Sequence, residues 1–386
     1  MPQGRFYFEG DLSLFLLPSL RGREVERSWS DTDTLMHVIE SIGVPHTEVE
    51  RIEQQGDVIH VYPRTRERAQ DTRFVLDQHL GRLAAYLRML GMDVIHKVPS
   101  PDQELHDERL ADRDVRVFLK RDDLIHPELP GNKWRKLKYN LAAAAESDRR
   151  TLLTFGGAYS NHIRAVAAAG HYFDFATIGV IRGEEHLPLN PTLAYARSRG
   201  MTLTYLDRTA YRAKSSPEVT EALCRRFGDF FLVPEGGSNA AAVRGAAELP
   251  AELAMPYDVV CCPCGTGGTL AGIAAGLPSG KRAIGYSALR GGGFLEEDVR
   301  RLQREYEGET ANFTIELDYH FGGFARRNGE LDRFISDFRE RHGITLEWVY
   351  VAKMLYGVYD MVGRDAFPAN TAIVAVVTGP DYSFAS

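Results

Sequence analysis

The sequence predicts an α/β protein: open, mostly parallel sheets with helices on both faces, preceded by a small α+β unit. Three observations predict it. Beyond residue 115, strand-like runs alternate with helix-like segments. Most of these runs are apolar throughout, as strands buried on both faces are. Ahead of them, residues 5–62 place one helical pattern between two short strand patterns, the mark of a small α+β unit.

The elements follow in order. Residues 5–8 (Arg-Phe-Tyr-Phe) read as a strand. Leu35, Val38, Ile39 and Ile42 give residues 33–42 helical spacing, with Asp31 or Asp33 as cap and Gly43 as stop. Residues 57–62 and 73–77 read as strands, and 78–90 as an amphipathic helix through Leu80, Leu83, Leu87 and Leu90. Residues 99–114 are polar and proline-containing, which suits a linker. Strands are then expected at 115–119, 151–155, 176–181, 202–206, 230–234, 258–262, 282–289, 346–350 and 371–378. Helices are expected at 132–146, 161–170, 191–199, 240–253 and 267–277. The expected division is 1–70, 71–98 and 99–386. Ligands of such sheets bind beyond the carboxyl ends of the strands.

The chain has 386 residues, 44% hydrophobic and 26% charged, which excludes collagen-like and disordered classes. Lys and Arg number 46 against 53 Asp and Glu, a net of −7. That balance disfavours coating nucleic acid or an anionic membrane, since both need clustered positive charge. Cys261, Cys262 and Cys264 crowd one apolar run and Cys224 stands apart; they read as reduced thiols of a cytoplasmic protein. Glu9 and Asp11 interrupt any signal-peptide core, and no apolar stretch suits a membrane span.

Cys264-Gly265-Thr266-Gly267-Gly268-Thr269 follows an apolar strand and opens an apolar helix. Glycines there let the backbone approach an anion, and the helix start supplies free N–H groups. The stretch reads equally as a phosphate cradle and as a tight turn without ligand. It lacks the Gly-Lys-Ser/Thr ending of a nucleotide P-loop. Gly131-Asn132-Lys133-Trp134-Arg135-Lys136 sets a lysine directly behind Gly-Asn at a helix start. That place suits covalent chemistry or anion contact; a solvated charged face is the plainer reading. Gly156-Gly157-Ala158-Tyr159-Ser160-Asn161-His162 and Glu235-Gly236-Gly237-Ser238-Asn239 repeat the strand-turn-helix context. Four such turns in one sheet imply a polar ligand at its carboxyl edge.

Four stretches stand in the order and spacing of one family: KRDDLIHPELPGNKWRKLKYN (120–140), LLTFGGAYSNHIRAVAAAG (152–170), PEGGSNAAAVRGAAEL (234–249) and CGTGGTLAGI (264–273). Residues from about 99 to 379 resemble the fold-type-II enzymes that use pyridoxal 5′-phosphate. The branch they resemble contains 1-aminocyclopropane-1-carboxylate deaminase and D-cysteine desulfhydrase. The resemblance implies that Lys133 holds the cofactor as an imine and, once freed, takes the substrate's Cα proton. It implies that Asn161 bonds the cofactor's phenolic oxygen and that Ser160 beside it faces the substrate. Gly265, Thr266, Gly267, Gly268 and Thr269 would hold the phosphate, with Lys136 near it. Tyr350 would face the substrate from a late strand, and Thr378 would reach the pyridine nitrogen. No metal is implied. The substrate would be a small amino acid, and relatives of this kind are usually homodimers.

The sequence also departs from that branch. Val351 stands where the deaminase has a glutamate after its late tyrosine. Phe324 replaces the tyrosine of Gly-Gly-Tyr, and the closing His-Thr-Gly-Gly becomes Val377-Thr378-Gly379-Pro380. Without a carboxylate to protonate the ring nitrogen, β-elimination from a thiol- or hydroxyl-bearing amino acid such as D-cysteine is expected over cyclopropane ring opening.

Residues 4–64 resemble a ubiquitin-like β-grasp domain, a module that would offer a surface to a protein partner. Residues 73–95 resemble the start of a PIN-like ribonuclease domain, in which Asp77 would be the first metal-binding carboxylate and Asp93, Asp102, Glu104 and Asp122 further acids. Two other readings therefore stand beside the lyase: a metal-dependent ribonuclease, and a non-catalytic protein that binds the cofactor or a partner.

Overall fold

The computed structural model describes residues 102–380 continuously, most of residues 2–63, and the backbone of the strands Arg73–Leu76 and Asp93–His96. Asp77 and the helix expected over 78–90 lie outside the described residues. The chain divides into two units, Met1–Thr72 and Arg73–Ser386.

The first unit is a four-stranded sheet of β1 (Gln3–Phe8), β2 (Val25–Ser28), β3 (Val49–Gln55) and β4 (Val58–Pro63), in the order β2-β1-β4-β3. The central pair, β1 and β4, is parallel, and the outer pairings are antiparallel. Strand alternation sends Phe6, Ile59 and Val61 to one face, where they pack with Val38, Ile39 and Ile42 of helix α1 (Leu35–Ile42). On the strands between them, Tyr7, His60 and Tyr62 stack with one another. Thr34, not Asp33, caps α1: its Oγ1 accepts the His37 N–H at 3.3 Å; Asp31 lies outside the described residues. A threonine hydroxyl one residue before the helix reaches the third N–H as well as an aspartate does.

In the second unit, β5 (Arg73–Leu76) and β6 (Asp93–His96) form a parallel pair. Two larger sheets follow. One has six strands: β7 (Gln103–Glu104), β8 (Arg116–Lys120), β13 (Val259–Cys264), β14 (Arg282–Ser287), β15 (Phe313–Glu316) and β16 (Ala372–Val376), in the order β15-β14-β13-β16-β8-β7. The other has four: β9 (Thr151–Gly156), β10 (Ala176–Arg182), β11 (Thr202–Leu206) and β12 (Phe231–Val233), in the order β11-β10-β9-β12. All their pairings are parallel except β7 with β8. Both faces are covered, which is why the strands read as unbroken apolar runs. In β9, Leu152 enters one core cluster while Leu153 and Phe155 enter another. In β13, Val259 and Cys261 face one core while Val260, Cys262 and Cys264 face the other. The neighbouring cysteines thus point apart, and burial pushes the Cys261 thiol up to about 12 and the Cys264 thiol up to about 11. They are inert protonated thiols packed as small apolar groups.

The structure corrects several expectations. The glycine turns stand at two sheets, not one: those after β9 and β12 on the four-stranded sheet, and the one after β13 on the six-stranded sheet. Residues 346–350 are not a strand. They form a turn into the helix Val351–Gly363, because the Glu347 carboxylate accepts the N–H groups of Val349, Tyr350 and Val351. Residues 240–253 break into Ala240–Ala247 and a 3-10 turn Leu249–Glu252 at Pro250, which has no N–H to continue the helix. Part of the expected linker is ordered structure, with β7 paired to β8 and a helical turn at Glu108–Ala111. Two acids of the ribonuclease reading are engaged otherwise. Asp102 and Asp122 each lie 3.6 Å from the Lys120 amine, and Asp122 also binds Arg135. Among the described residues no group of three or more His, Cys, Asp or Glu side chains is set to hold a metal ion, and no helix is long and apolar enough to cross a membrane.

Candidate active site

Helix α2 (Gly131–Glu146) carries the first site residues. Gly131 has φ +50°, and a Cβ there would stand 2.4 Å from the Thr378 carbonyl oxygen. Only glycine lets the start of α2 press against the chain leaving β16. Asn132 Nδ2 then donates to Thr269 Oγ1 at 3.3 Å, tying α2 to the turn after β13. One residue on, the Lys133 amine makes no hydrogen bond to a described residue. Burial pushes its pKa down to about 8, with the Glu347 charge opposing.

One helical turn further, Lys136 acts as a crosstie. Its Nζ donates to the Gly236 carbonyl and to Ser238 Oγ, both at 3.0 Å, and to Thr266 Oγ1 at 3.3 Å. The turns from the two sheets thus meet at one ammonium. Burial, then the charge of Lys133, lowers the pKa of Lys136. A Cβ on Gly268 would stand 2.9 Å from that amine, so the glycine keeps the space around it open.

Helix α3 (Asn161–Phe173) opens after β9. Ser160 caps it: Oγ accepts the N–H groups of His162 at 3.2 Å and Ile163 at 3.4 Å. Its hydroxyl proton is left for another acceptor. The Asn161 side chain makes no hydrogen bond to a described residue. His162, which the sequence reading passed over, is buried behind it with Nε2 2.8 Å from Thr154 Oγ1. Burial, then the charges of Lys133 and Lys136, pushes its pKa well below the usual value, so the ring is neutral.

Helix α4 (Gly268–Gly276) follows the Gly-Thr-Gly turn, with Gly267 at φ +74°. Across from it, the turn before helix α5 (Val351–Gly363) brings Tyr350 against Gly265, where a Cβ would lie 3.2 Å from the Tyr350 hydroxyl. Burial, then Glu347, raises the Tyr350 pKa, so the phenol keeps its proton. Phe324 packs edge-on against the Tyr350 ring at 5.9 Å between centroids. Val351 is fully buried in the apolar core with Ile373 and Ala375. Glu347, which holds the turn before α5, is a further residue at the site that the sequence reading missed. The available signal was an acid placed just ahead of a helical pattern, where carboxylates cap.

Lys133, Asn161 and Tyr350 are half-buried and Thr378 is buried, yet their side-chain polar groups make no hydrogen bond to a described residue. None of these polar atoms is sealed from solvent, so they stand ready for a polar ligand that completes the arrangement. The donor set fits pyridoxal phosphate: an amine of lowered pKa for a carbonyl, and a glycine turn at a helix start for a phosphate.

Comparison with known proteins agrees. Residues 99–379 match the family profile described as pyridoxal-phosphate dependent enzyme. The chain belongs to this family. Residues 1–69 match the Mut7-C ubiquitin profile. A proposed 1-aminocyclopropane-1-carboxylate deaminase of Pyrococcus horikoshii is 30% identical over 267 residues, covering 64% of this chain and 80% of its own. A bifunctional D-cysteine desulfhydrase/1-aminocyclopropane-1-carboxylate deaminase of Arabidopsis thaliana is 27% identical over 274 residues, covering 65% and 68%. A crystal structure of a homologue of the same deaminase superposes with a TM-score of 0.63 at 25% identity, covering 76% of this chain and 94% of that one. The second unit of this pyridoxal-phosphate dependent enzyme therefore has the fold and the catalytic class that its residues pointed to.

The turn after β13 offers an early test. A Cβ on Gly267 would meet Val299 Cγ2 at 2.9 Å, besides the strain of its positive φ. Gly267→Val is expected to weaken pyridoxal phosphate binding at least about tenfold, or roughly 1.4 kcal/mol, in an absorbance titration. Unchanged affinity in a folded variant would place the phosphate elsewhere.

Proposed function

We propose that this lyase removes the β-substituent of a small amino acid, with D-cysteine as the model substrate, in preference to opening the cyclopropane ring. The observation that carries this reading is the end of the turn after Tyr350. Position 351 is a valine sunk in the core, and Glu347 gives its oxygens to three backbone N–H groups. Neither supplies a carboxylic proton to hold on the cofactor's ring. A good β-leaving group departs as soon as the Cα proton is removed, whereas ring opening has no such leaving group and depends on prolonged charge storage.

Bound pyridoxal phosphate supplies the electron sink that acidifies the substrate's Cα–H bond. Lys133 holds the cofactor and moves the Cα proton, for which an amine titrating near 8 is matched. Gly265, Thr266, Gly267, Gly268 and Thr269 hold the phosphate with the first N–H groups of α4, and Lys136 fixes that turn. Asn161 positions the cofactor's ring oxygen, and Thr378 donates to the ring nitrogen. Ser160, at the start of α3, offers a hydroxyl where helix N–H groups favour the substrate carboxylate. Tyr350, protonated, donates toward the substrate. We read the chain as a β-grasp module over 1–70, a join over 71–98 and a catalytic region over 99–386, acting in the cytoplasm as a homodimer. The free, buried thiols support the cytoplasmic part, and the β-grasp module is the place for a protein partner.

The test compares sulfide release from D-cysteine with 2-oxobutanoate release from 1-aminocyclopropane-1-carboxylate. The kcat/KM for D-cysteine is expected to be larger by about tenfold or more. Faster ring opening by the unmodified protein would overturn the preference.

A further inference from the structure

Lys353, in the first turn of α5, plays no part in the chemistry above, yet it is 1% exposed. Its Nζ makes no salt bridge to a described carboxylate; it donates instead to two backbone carbonyls, His320 and Gly323, each at 2.8 Å. A buried ammonium held by carbonyls is an expensive way to fasten a loop, so the loop it fastens is informative. Phe321, Gly322, Gly323 and Ala325 all have positive φ, at 50°, 93°, 118° and 50°. Two of them are not glycine, and such backbone persists only where its surroundings hold it.

The same two carbonyls also close the loop on itself. The His320 oxygen accepts the Gly323 N–H at 3.0 Å, and the Gly323 oxygen accepts the Arg326 N–H at 3.1 Å. His320 Nδ1 accepts the Gly322 N–H at 2.9 Å. Lys353 is thus the side chain joining the loop's own hydrogen bonds to α5. On one side the loop is anchored by Phe321, edge-on against Tyr356 at 4.9 Å. On the other it presents Phe324, 43% exposed, against the Tyr350 ring. Tyr350 in turn lies against Gly265 of the turn after β13.

We propose that Lys353 is a positioning residue that sets substrate preference: its two carbonyl bonds fix the 320–326 loop so that Phe324 walls the substrate's side-chain subsite beside Tyr350. The proposal rests on the reading of this site as an amino-acid lyase. The wall is apolar. It accepts a weakly hydrated thiol and penalises a hydroxyl, whose hydration it cannot replace. The preference is therefore for D-cysteine over D-serine.

Lys353→Met keeps the chain length and removes the donors. Cofactor absorbance and borohydride trapping on Lys133 are expected to match the parent. KM for D-cysteine is expected to rise about tenfold with kcat within about threefold, and the kcat/KM preference over D-serine to fall about fivefold. Trypsin is expected to cut after Arg326 and Arg327 several times faster. An unchanged KM and preference, or a loss confined to kcat, would overturn the proposal. Should Lys353→Met fail to fold, Phe324→Ala at the exposed end of the same contact decides it. That variant is expected to raise KM and lose the preference without faster cleavage, and an unchanged KM and preference would overturn the proposal. If the parent protein acts on neither amino acid, the lyase reading fails on its own, and the trypsin comparison still decides whether Lys353 holds the loop.

Discussion

Lys133→Ala is expected to lower turnover by about a thousandfold and to leave no cofactor attached after borohydride reduction, while the protein stays folded. Losing a positioned proton-transfer group costs roughly 10²–10⁴ in rate, and losing the covalent anchor adds to it. The fold should survive because the amine makes no hydrogen bond to a described residue, so its removal breaks none. Burial sets the sign of the pH dependence. With a pKa lowered to about 8, the neutral, nucleophilic fraction of Lys133 grows most steeply as pH rises from about 7 to about 9 and levels off above that. Attachment of added pyridoxal phosphate should accelerate over that window in the parent protein and be absent in the variant. A variant that still attaches the cofactor would point to Lys136.

Arg135→Met is expected to destabilise the second unit by about 3 kcal/mol, read from urea unfolding, because it leaves the buried Asp122 carboxylate with only part of its compensating charge. Arg135 is 3% exposed at its side chain and Asp122 is 0% exposed. Its guanidinium bonds Asp122 at 2.6 and 2.9 Å and Glu252 at 2.6 and 2.7 Å. With the arginine gone, Lys120, 3.6 Å from both acids, is the cation left to face them. Neutralising Asp122 as well, in Arg135→Met with Asp122→Leu, should recover part of the loss, since a well-packed apolar pair replaces a buried ion pair at little net cost. Activity should fall with stability in the single variant, because Arg135 fixes the turn of α2 that separates Lys133 from Lys136. A single variant within 1 kcal/mol of the parent would refute this account of the network.

The turns of the candidate site were legible because glycine patterns at strand ends are local. Gly131, Gly265 and Gly267 sit where a Cβ would meet Thr378, Tyr350 and Val299, and such demands leave a mark in the sequence. Lys133 stands directly behind Gly131-Asn132, while Lys136 and Asn161 were singled out by the family resemblance alone. What the sequence hid were contacts between distant segments. Residues 346–350 set Leu346, Trp348, Val349 and Tyr350 around Glu347, and so short a mostly apolar run does not separate strand from turn. The deciding contact is the Glu347 carboxylate on three N–H groups. Lys353 carries no local sequence signal, because its acceptors lie 33 and 30 positions away. The number of sheets was hidden for a similar reason. Alternating strands and helices fix local order, while the assignment of β9 and β13 to separate sheets is set by pairing across the chain.

The most direct test of the central claim is to reduce the holoenzyme with borohydride and map the cofactor-bearing peptide. The account predicts the pyridoxyl group on Lys133, in the tryptic peptide Asp122–Arg135, which trypsin leaves uncut at the modified lysine. A label on Lys136 or on another lysine, or no label in a protein that retains the cofactor and turns over an amino acid, would contradict it.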